Sequence, residues 1–320
     1  MSVVRSATNV GFGLAIFMLV GAAAAGATIG ASFLHPGRRA LTPSAISSAN
    51  NAFREVGAHS ENFDVKTSDG TLLHGWKVRP ANANGDWVVL FHGVADNRTG
   101  TLSYAEMLRH GYSVVMMDAR AHGESEGSMA TYGWLERDDS RSIDDALFAS
   151  NEVGHLFYLG ESMGAAIALQ SAAVDPRVAG VVAEASFANL REVTYDYAGL
   201  EISPLLGKTL FRPATMVALA AAEKEGGFKA QNISPVKAVA ARPFPVFLIC
   251  DANDRRIPCR HSRMIYNATA GPKEIWVVPD AGHTMAFGTH PEEFESRVIA
   301  FFERIAGQPS AIQTKESVRE

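Results

Sequence analysis

From Trp87 onward, apolar runs of strand length alternate with longer stretches of helical period, and nothing else in the chain limits its folds so strongly. The runs are WVVLF (87–91), YSVVMMD (112–118), LFYLG (156–160), VAGVVAE (178–184), FPVFLIC (244–250) and EIWVVP (274–279). Helices are expected between them near 101–110, 139–150, 163–174 and 260–269, with a last one at 291–306. Strands that are apolar throughout, rather than at alternate residues, suit a sheet covered on both faces. The alternation therefore gives an α/β class fold with a mostly parallel central sheet and helices on either side. Such sheets form their sites at the carboxyl ends of the strands. The stretch 61–79 is expected to add an antiparallel hairpin, with Ser68-Asp69-Gly70 as turn chemistry.

Residues 187–241 interrupt the rhythm with a helical insertion punctuated by Pro204, Pro213 and Pro235, and read as a short cap over the strand ends. The folded domain is expected over 55–306, preceded by a linker at 35–54 rich in Pro, Ser and small polar residues, and followed by a polar, disordered tail at 307–320. Residues 1–34 read as an N-terminal transmembrane anchor or a signal sequence. Val10–Leu34 is a run of 25 residues without a charge. About 20 such residues span the hydrocarbon core of a bilayer, which favours a single-pass anchor. Cleaved signals have shorter apolar regions, but Ala25 and Ala27 suit a cleavage site, so that reading stays open. Arg38, Arg39 and Arg54 on the domain side favour a cytoplasmic domain by the positive-inside count. The cysteines lean toward an extracytoplasmic one. Cys250 and Cys259 are either buried thiols or a disulfide, and a disulfide belongs to an oxidising compartment.

The net charge of -5 and the absence of basic runs longer than Arg38-Arg39 and Arg255-Arg256 exclude the phosphate-neutralising surface that nucleic-acid binding requires. Two cysteines, no HExxH and no paired-carboxylate cluster give no metal ligand set, and no cofactor is implied.

Two segments, GESEG (123–127) and GESMG (160–164), fit G-x-S-x-G, the pattern that sets a nucleophilic serine on a sharp strand-to-helix turn. Context separates them. Ser162 follows the strand HLFYLGE and precedes MGAAIALQSAAV, whose small residues suit a helix packed closely on a sheet. Ser125 follows DARAHGE, already past its strand, and precedes EGSMATYGWLERDD, which has no apolar helical period. Glu126 would also oppose negative charge developing on an oxyanion beside Ser125, whereas Met163 raises no such objection. A serine hydroxyl needs a base, and a base needs an orienting acid. Asp254 and His283 follow the next strands in the order Ser, Asp, His, each at a strand's carboxyl end. Asp251 is a rival acid. His290 is a rival base, but it stands before Pro291 at a helix start.

The blocks FHGVADNR, DARAHGESEG, YLGESMGAA, DANDRRIP and DAGH, in this order over residues 60–305, resemble the signature blocks of the alpha/beta hydrolase superfamily. They are most similar to the BEM46-like and ABHD13/ABHD17-like membrane-anchored serine hydrolases. The resemblance implies the alpha/beta-hydrolase fold, with Ser162 as nucleophile, Asp254 as acid and His283 as general base. It further implies that the backbone N–H groups of Val94 and Met163 form the oxyanion hole, and that Ser125 shapes a neighbouring loop. The chain departs from the family at Asp251, where glycine is common. The activity implied is hydrolysis of a small-molecule carboxylic ester or thioester through an acyl-enzyme. A serine peptidase or aminoacyl amidase can use the same triad, and a non-catalytic membrane-bound module can use the same scaffold. Outside these blocks, His59, His74, His110, His155 and His261 stand in no motif, and His92 can serve to brace its loop.

Overall fold

The computed structural model describes residues 33–200 and 204–307. Eight strands form the central sheet: β1 (Ala58–Asn62), β2 (Gly75–Pro80), β3 (Trp87–Phe91), β4 (Ser113–Met117), β5 (Leu156–Glu161), β6 (Val178–Glu184), β7 (Val246–Asp251) and β8 (Lys273–Val278). Their order across the sheet is β1-β2-β4-β3-β5-β6-β7-β8. The pairs β1·β2 and β2·β4 are antiparallel, and every pairing from β4 to β8 is parallel. The hairpin expected at 61–79 is the β1–β2 pair, with a two-residue ladder, Val65–Lys66 against Leu72–Leu73, in its connection.

Side chains alternate between two cores because successive residues of a strand face opposite sides of the sheet. On β3, Val88 and Leu90 point into one core with Tyr104, Leu108, Phe294 and Phe302, whereas Trp87 and Val89 point into the other with Ile143, Leu147, Leu169 and Ile265. The first core is covered by helix α1 (Pro43–Glu55), a 3₁₀ helix (Arg98–His110) and the closing helix α10 (Pro291–Ala306). The second is covered by α2 (Glu136–Ser150), α3 (Met163–Ala172), α7 (Pro235–Ala241) and α8 (Arg260–Ala268). The cap insertion consists of α4 (Leu190–Ala198), α5 (Pro204–Lys208) and α6 (Arg212–Gly226), followed by a short 3₁₀ turn and α7. A four-residue helix, α9 (Ala286–Thr289), precedes α10.

Two readings of the N-terminal region change. The stretch 35–54, expected as a linker, carries most of α1, whose Ala49 and Phe53 are buried against the sheet. Its period was masked by serines and asparagines on the outer face. The fold also reaches further back than residue 55. Leu34 is fully buried with Phe228 of the cap, and its carbonyl accepts from Ala130 N–H at 2.8 Å. Phe33 stacks on Tyr132 at 4.6 Å between ring centroids. Among the described residues no helix is long and apolar enough to cross a membrane. The expected anchor lies outside the described residues except for Phe33 and Leu34, and so does the expected tail beyond Gly307.

Glycine sets the distance between α3 and the sheet. A Cβ on Gly164 would lie 2.2 Å from the carbonyl oxygen of Phe91, and one on Gly160 would lie 2.6 Å from the Gly164 carbonyl carbon. Both collisions are with backbone, so the helix itself would have to move. Gly164→Ala is accordingly expected to cost about 1–3 kcal/mol, the usual price of overpacking. Thermal unfolding followed by circular dichroism should show a lower Tm, and an unchanged Tm would refute the close-approach argument.

Candidate active site

At the end of β5 the chain turns directly into α3. Ser162, at the turn, takes φ 52° and ψ -115°, a backbone conformation that a side-chain-bearing residue adopts only under constraint. The constraint is visible: Ser162 N–H donates to the Glu184 carbonyl of β6 at 2.9 Å, and small residues clamp both sides of the turn. The serine is thereby pushed out of the strand at the N-terminus of α3.

His283 and Asp254 meet it there. Ser162 Oγ lies 2.9 Å from His283 Nε2, and His283 Nδ1 lies 2.7 Å from Asp254 Oδ2. With Nδ1–H donating to the carboxylate, Nε2 is left as the acceptor for the serine proton. The other Asp254 oxygen is also occupied: Oδ1 accepts from the backbone N–H groups of Arg256 and Ile257 at 2.7 and 2.9 Å. Three donors therefore hold the carboxylate in one orientation. The loop carrying it is closed at its ends by the Cys250–Cys259 disulfide, whose Cα atoms are 5.4 Å apart.

Asp251 does not contact the imidazole. Its Oδ2 accepts from the Thr284 backbone N–H at 2.8 Å, one residue beyond the histidine. Burial pushes its carboxyl up to about 8, with the charge of Glu184 adding to the effect. His290 is set apart at the start of α10, with Nε2 near the Pro279 carbonyl at 3.2 Å.

Val94 and Met163 flank the serine. Met163 opens α3, so its N–H belongs to the unpaired first turn of a helix. Val94 follows Gly93, and a Cβ on Gly93 would lie 3.8 Å from Ser162 Cβ, which brings this loop alongside the serine. His92 braces the loop. Its Nε2 accepts from Ala119 N–H at 3.0 Å, so Nδ1 carries the proton and donates to the Gly93 carbonyl at 2.7 Å. Burial lowers the His92 pKa, in keeping with the neutral ring that this pairing needs.

Ser125 is fully buried and fully engaged. Its Oγ donates to the Asp118 carbonyl at 2.7 Å and accepts from His74 N–H at 2.9 Å. The segment around it is folded about the Asp118 carboxylate, which receives Arg98 Nη2 at 2.7 Å, Arg98 N–H at 2.6 Å and Glu124 N–H at 2.9 Å. No local pattern marks this buried Arg98–Asp118 pair, because the residues are 20 apart in the chain.

The cap reaches the same edge of the sheet. Tyr197 of α4 stands exposed on this edge, and Arg256 and Asp254 are the charges that act on its phenol, which sets this cap residue beside the loop that carries Asp254. Asp196 fastens α4 to the core through His261 Nε2 at 2.8 Å. Met163 and Ile257 share an apolar cluster with Leu34, Tyr132, Phe187 and Leu219. Among the described residues no group of His, Cys, Asp and Glu has the makings of a metal site.

The model of a family described as "Alpha/beta hydrolase family" matches residues 88–297. Uncharacterized protein YqkD of Bacillus subtilis is 26% identical over 248 residues, which cover 76% of this chain and 79% of that one. Uncharacterized protein YfhR of Salmonella typhimurium is 28% identical over 265 residues, covering 79% and 85%. Among solved structures, the Pyrococcus furiosus esterase Pf2001 superposes with a TM-score of 0.68 at 23% identity, covering 86% of this chain and 99% of that one. The Pyrococcus horikoshii acylaminoacyl peptidase superposes at 0.63 and 17% identity, with 82% of this chain matching 44% of the peptidase. At these identities the structural likeness speaks for the fold.

If Asp254 orients the imidazole, Asp254→Asn should lower turnover by about 10⁴-fold. Asp251→Asn should fall by less than about 10²-fold, the scale of a misplaced supporting group. Steady-state rates of the two variants on one ester decide between the carboxylates, and the reverse ranking would transfer the role to Asp251.

Proposed function

Because this chain belongs to the alpha/beta hydrolase family, we propose that it is a serine hydrolase that cleaves carboxylic esters or thioesters through an acyl-enzyme. The observation that carries the reading is the unbroken chain Ser162 Oγ, His283 imidazole and Asp254 carboxylate, with contacts of 2.9 and 2.7 Å. In the first half-reaction His283 Nε2 takes the serine proton as Oγ attacks the carbonyl carbon. The imidazolium then gives that proton to the leaving alcohol or thiol. In the second half-reaction water attacks the acyl-serine by the same route. The Met163 and Val94 N–H groups are assigned to the tetrahedral oxyanion, a contribution typically worth about 3–4 kcal/mol per donor.

An aminoacyl amidase is the second reading, favoured by the peptidase among the structural neighbours. Turnover of aminoacyl amides without turnover of acyl esters would select it. The finer kinship with the BEM46-like and ABHD13/ABHD17-like group rests on the five sequence blocks.

Attachment to a membrane through the residues before Phe33 is likewise proposed, supported by the 23 uncharged residues 10–32. The Cys250–Cys259 disulfide supports an extracytoplasmic catalytic domain. The full-length chain should stay with membranes through a high-pH carbonate wash and be released by detergent. Recovery in the soluble fraction would contradict attachment.

A fluorophosphonate probe should label the wild-type protein and fail on Ser162→Ala. Ser125→Ala should still be labelled, although it should unfold more easily, since it leaves buried polar groups unpaired at a cost of about 1–3 kcal/mol. Labelling that survives Ser162→Ala and is lost in Ser125→Ala would overturn the assignment.

A further inference from the structure

Three acidic side chains outside the Ser162–His283–Asp254 chain end neighbouring strands of the sheet: Glu161 on β5, Glu184 on β6 and Asp251 on β7. Glu184 and Asp251 are buried. Glu161 and Glu184 converge on Tyr104 of the 3₁₀ helix, whose hydroxyl lies 2.9 Å from Glu161 Oε2 and 2.8 Å from Glu184 Oε2. A phenol has one proton, so it donates to one carboxylate only. The second short contact is a hydrogen bond only if that carboxyl is itself protonated and donates to the phenol oxygen. The two distances therefore call for a proton held between the glutamates. Asp251 adds to this demand, since its Oδ1 is buried with no hydrogen-bond partner among the described residues.

The remaining oxygens of the cluster reach the loops of the site. Glu184 Oε1 accepts from Ala286 N–H at 2.9 Å, and Asp251 Oδ2 accepts from Thr284 N–H at 2.8 Å, so the two carboxyls grip the segment just after His283. Glu161 Oε1 faces the backbone of Gly93, next to Val94. The Glu184 carbonyl meanwhile holds Ser162 N–H. These three residues thus touch the histidine loop, the Gly93–Val94 loop and the elbow.

We propose that Glu161, Glu184 and Asp251, with Glu161 and Glu184 joined through Tyr104, are a proton-holding carboxyl cluster that positions the His283 and Val94 loops around Ser162. The proposal rests on the serine-hydrolase reading. None of the four residues meets the reacting atoms, so they are positioning residues. Burial raises the carboxyls of Glu161 and Glu184 to about 7 and that of Asp251 to about 8. The charges facing them are Asp96 and Asp251 toward Glu161, Glu161 and Asp254 toward Glu184, and Glu184, Asp254 and His283 toward Asp251. Only His283 among these can bear a positive charge. Acids with raised pKa are accommodated while protonated, so the ordering they give is complete at low pH and is lost as pH rises through about 7 to about 8. The enzyme should therefore lose activity on the alkaline side as these carboxyls ionise.

The test is the rate of fluorophosphonate labelling between about pH 6 and about pH 9.5 for the wild type, Glu184→Gln, Asp251→Asn and Glu184→Ala. The wild-type rate should fall as pH rises through about 7 to about 8. Glu184→Gln and Asp251→Asn keep an acceptor for the loop amides and remove one buried charge, and each should move that fall upward by about one pH unit. Glu184→Ala loses the acceptor and should label roughly 10²-fold more slowly near neutral pH, with Glu184→Gln recovering most of the loss. An alkaline fall unmoved in either amide variant, or a Glu184→Gln rate as low as that of Glu184→Ala, overturns the proposal. A wild-type protein that the probe does not label at any pH instead overturns the hydrolase reading, and this proposal with it.

Discussion

The approach of helix α3 to strands β3 and β5 is the constraint on which the rest of the site depends. Gly160 and Gly164 let backbone meet backbone where a single Cβ would collide, and this closeness forces the chain to reverse within one residue at Ser162. A wider turn would leave the serine in the strand, pointing into a core. At the observed turn, Ser162 stands at the start of a helix, next to the unpaired amide of Met163 and beside the loop that begins at His92. His283 and Asp254 then need only arrive from the ends of neighbouring strands, and the parallel order β5-β6-β7-β8 delivers them to the same edge.

The site is polar chemistry set in an apolar wall, and its charges are managed by specific partners. Asp254 is held in place by two backbone amides and an imidazole N–H. Glu161, Glu184 and Asp251 have fewer donors and are pushed toward the neutral form. The acids at this edge thus divide by environment, Asp254 fixed against the His283 imidazole and the others pushed toward neutrality. Elsewhere in the fold two buried charges of each sign pair with each other, Arg98 with Asp118 and Arg120 with Asp139.

Most of this was legible in the sequence where local rules decide. The six apolar runs became β3 to β8 with shifts of two residues or fewer, because strands buried on both faces leave an uninterrupted apolar signature. Ser162 is separable from Ser125 by its strand and its small-residue helix, and of the two aspartates Asp254 is the one in contact with His283. The misses are long-range. Helix α1 was hidden because only Ala49 and Phe53 of its 13 residues are buried. Docking of Phe33 and Leu34 on residues 130–132 and on the cap depends on contacts almost 100 residues or more away in the chain. The Tyr104–Glu184 contact spans 80 residues and no short motif encodes it.

The central claim, that Ser162 is the nucleophile, is tested most directly by the site of a covalent adduct. The wild-type protein would be treated with an excess of fluorophosphonate, weighed intact and mapped by peptide mass spectrometry. The account predicts one adduct per chain, on the peptide that carries Ser162. An adduct on Ser125 or on any other residue, or an unmodified chain, would contradict it.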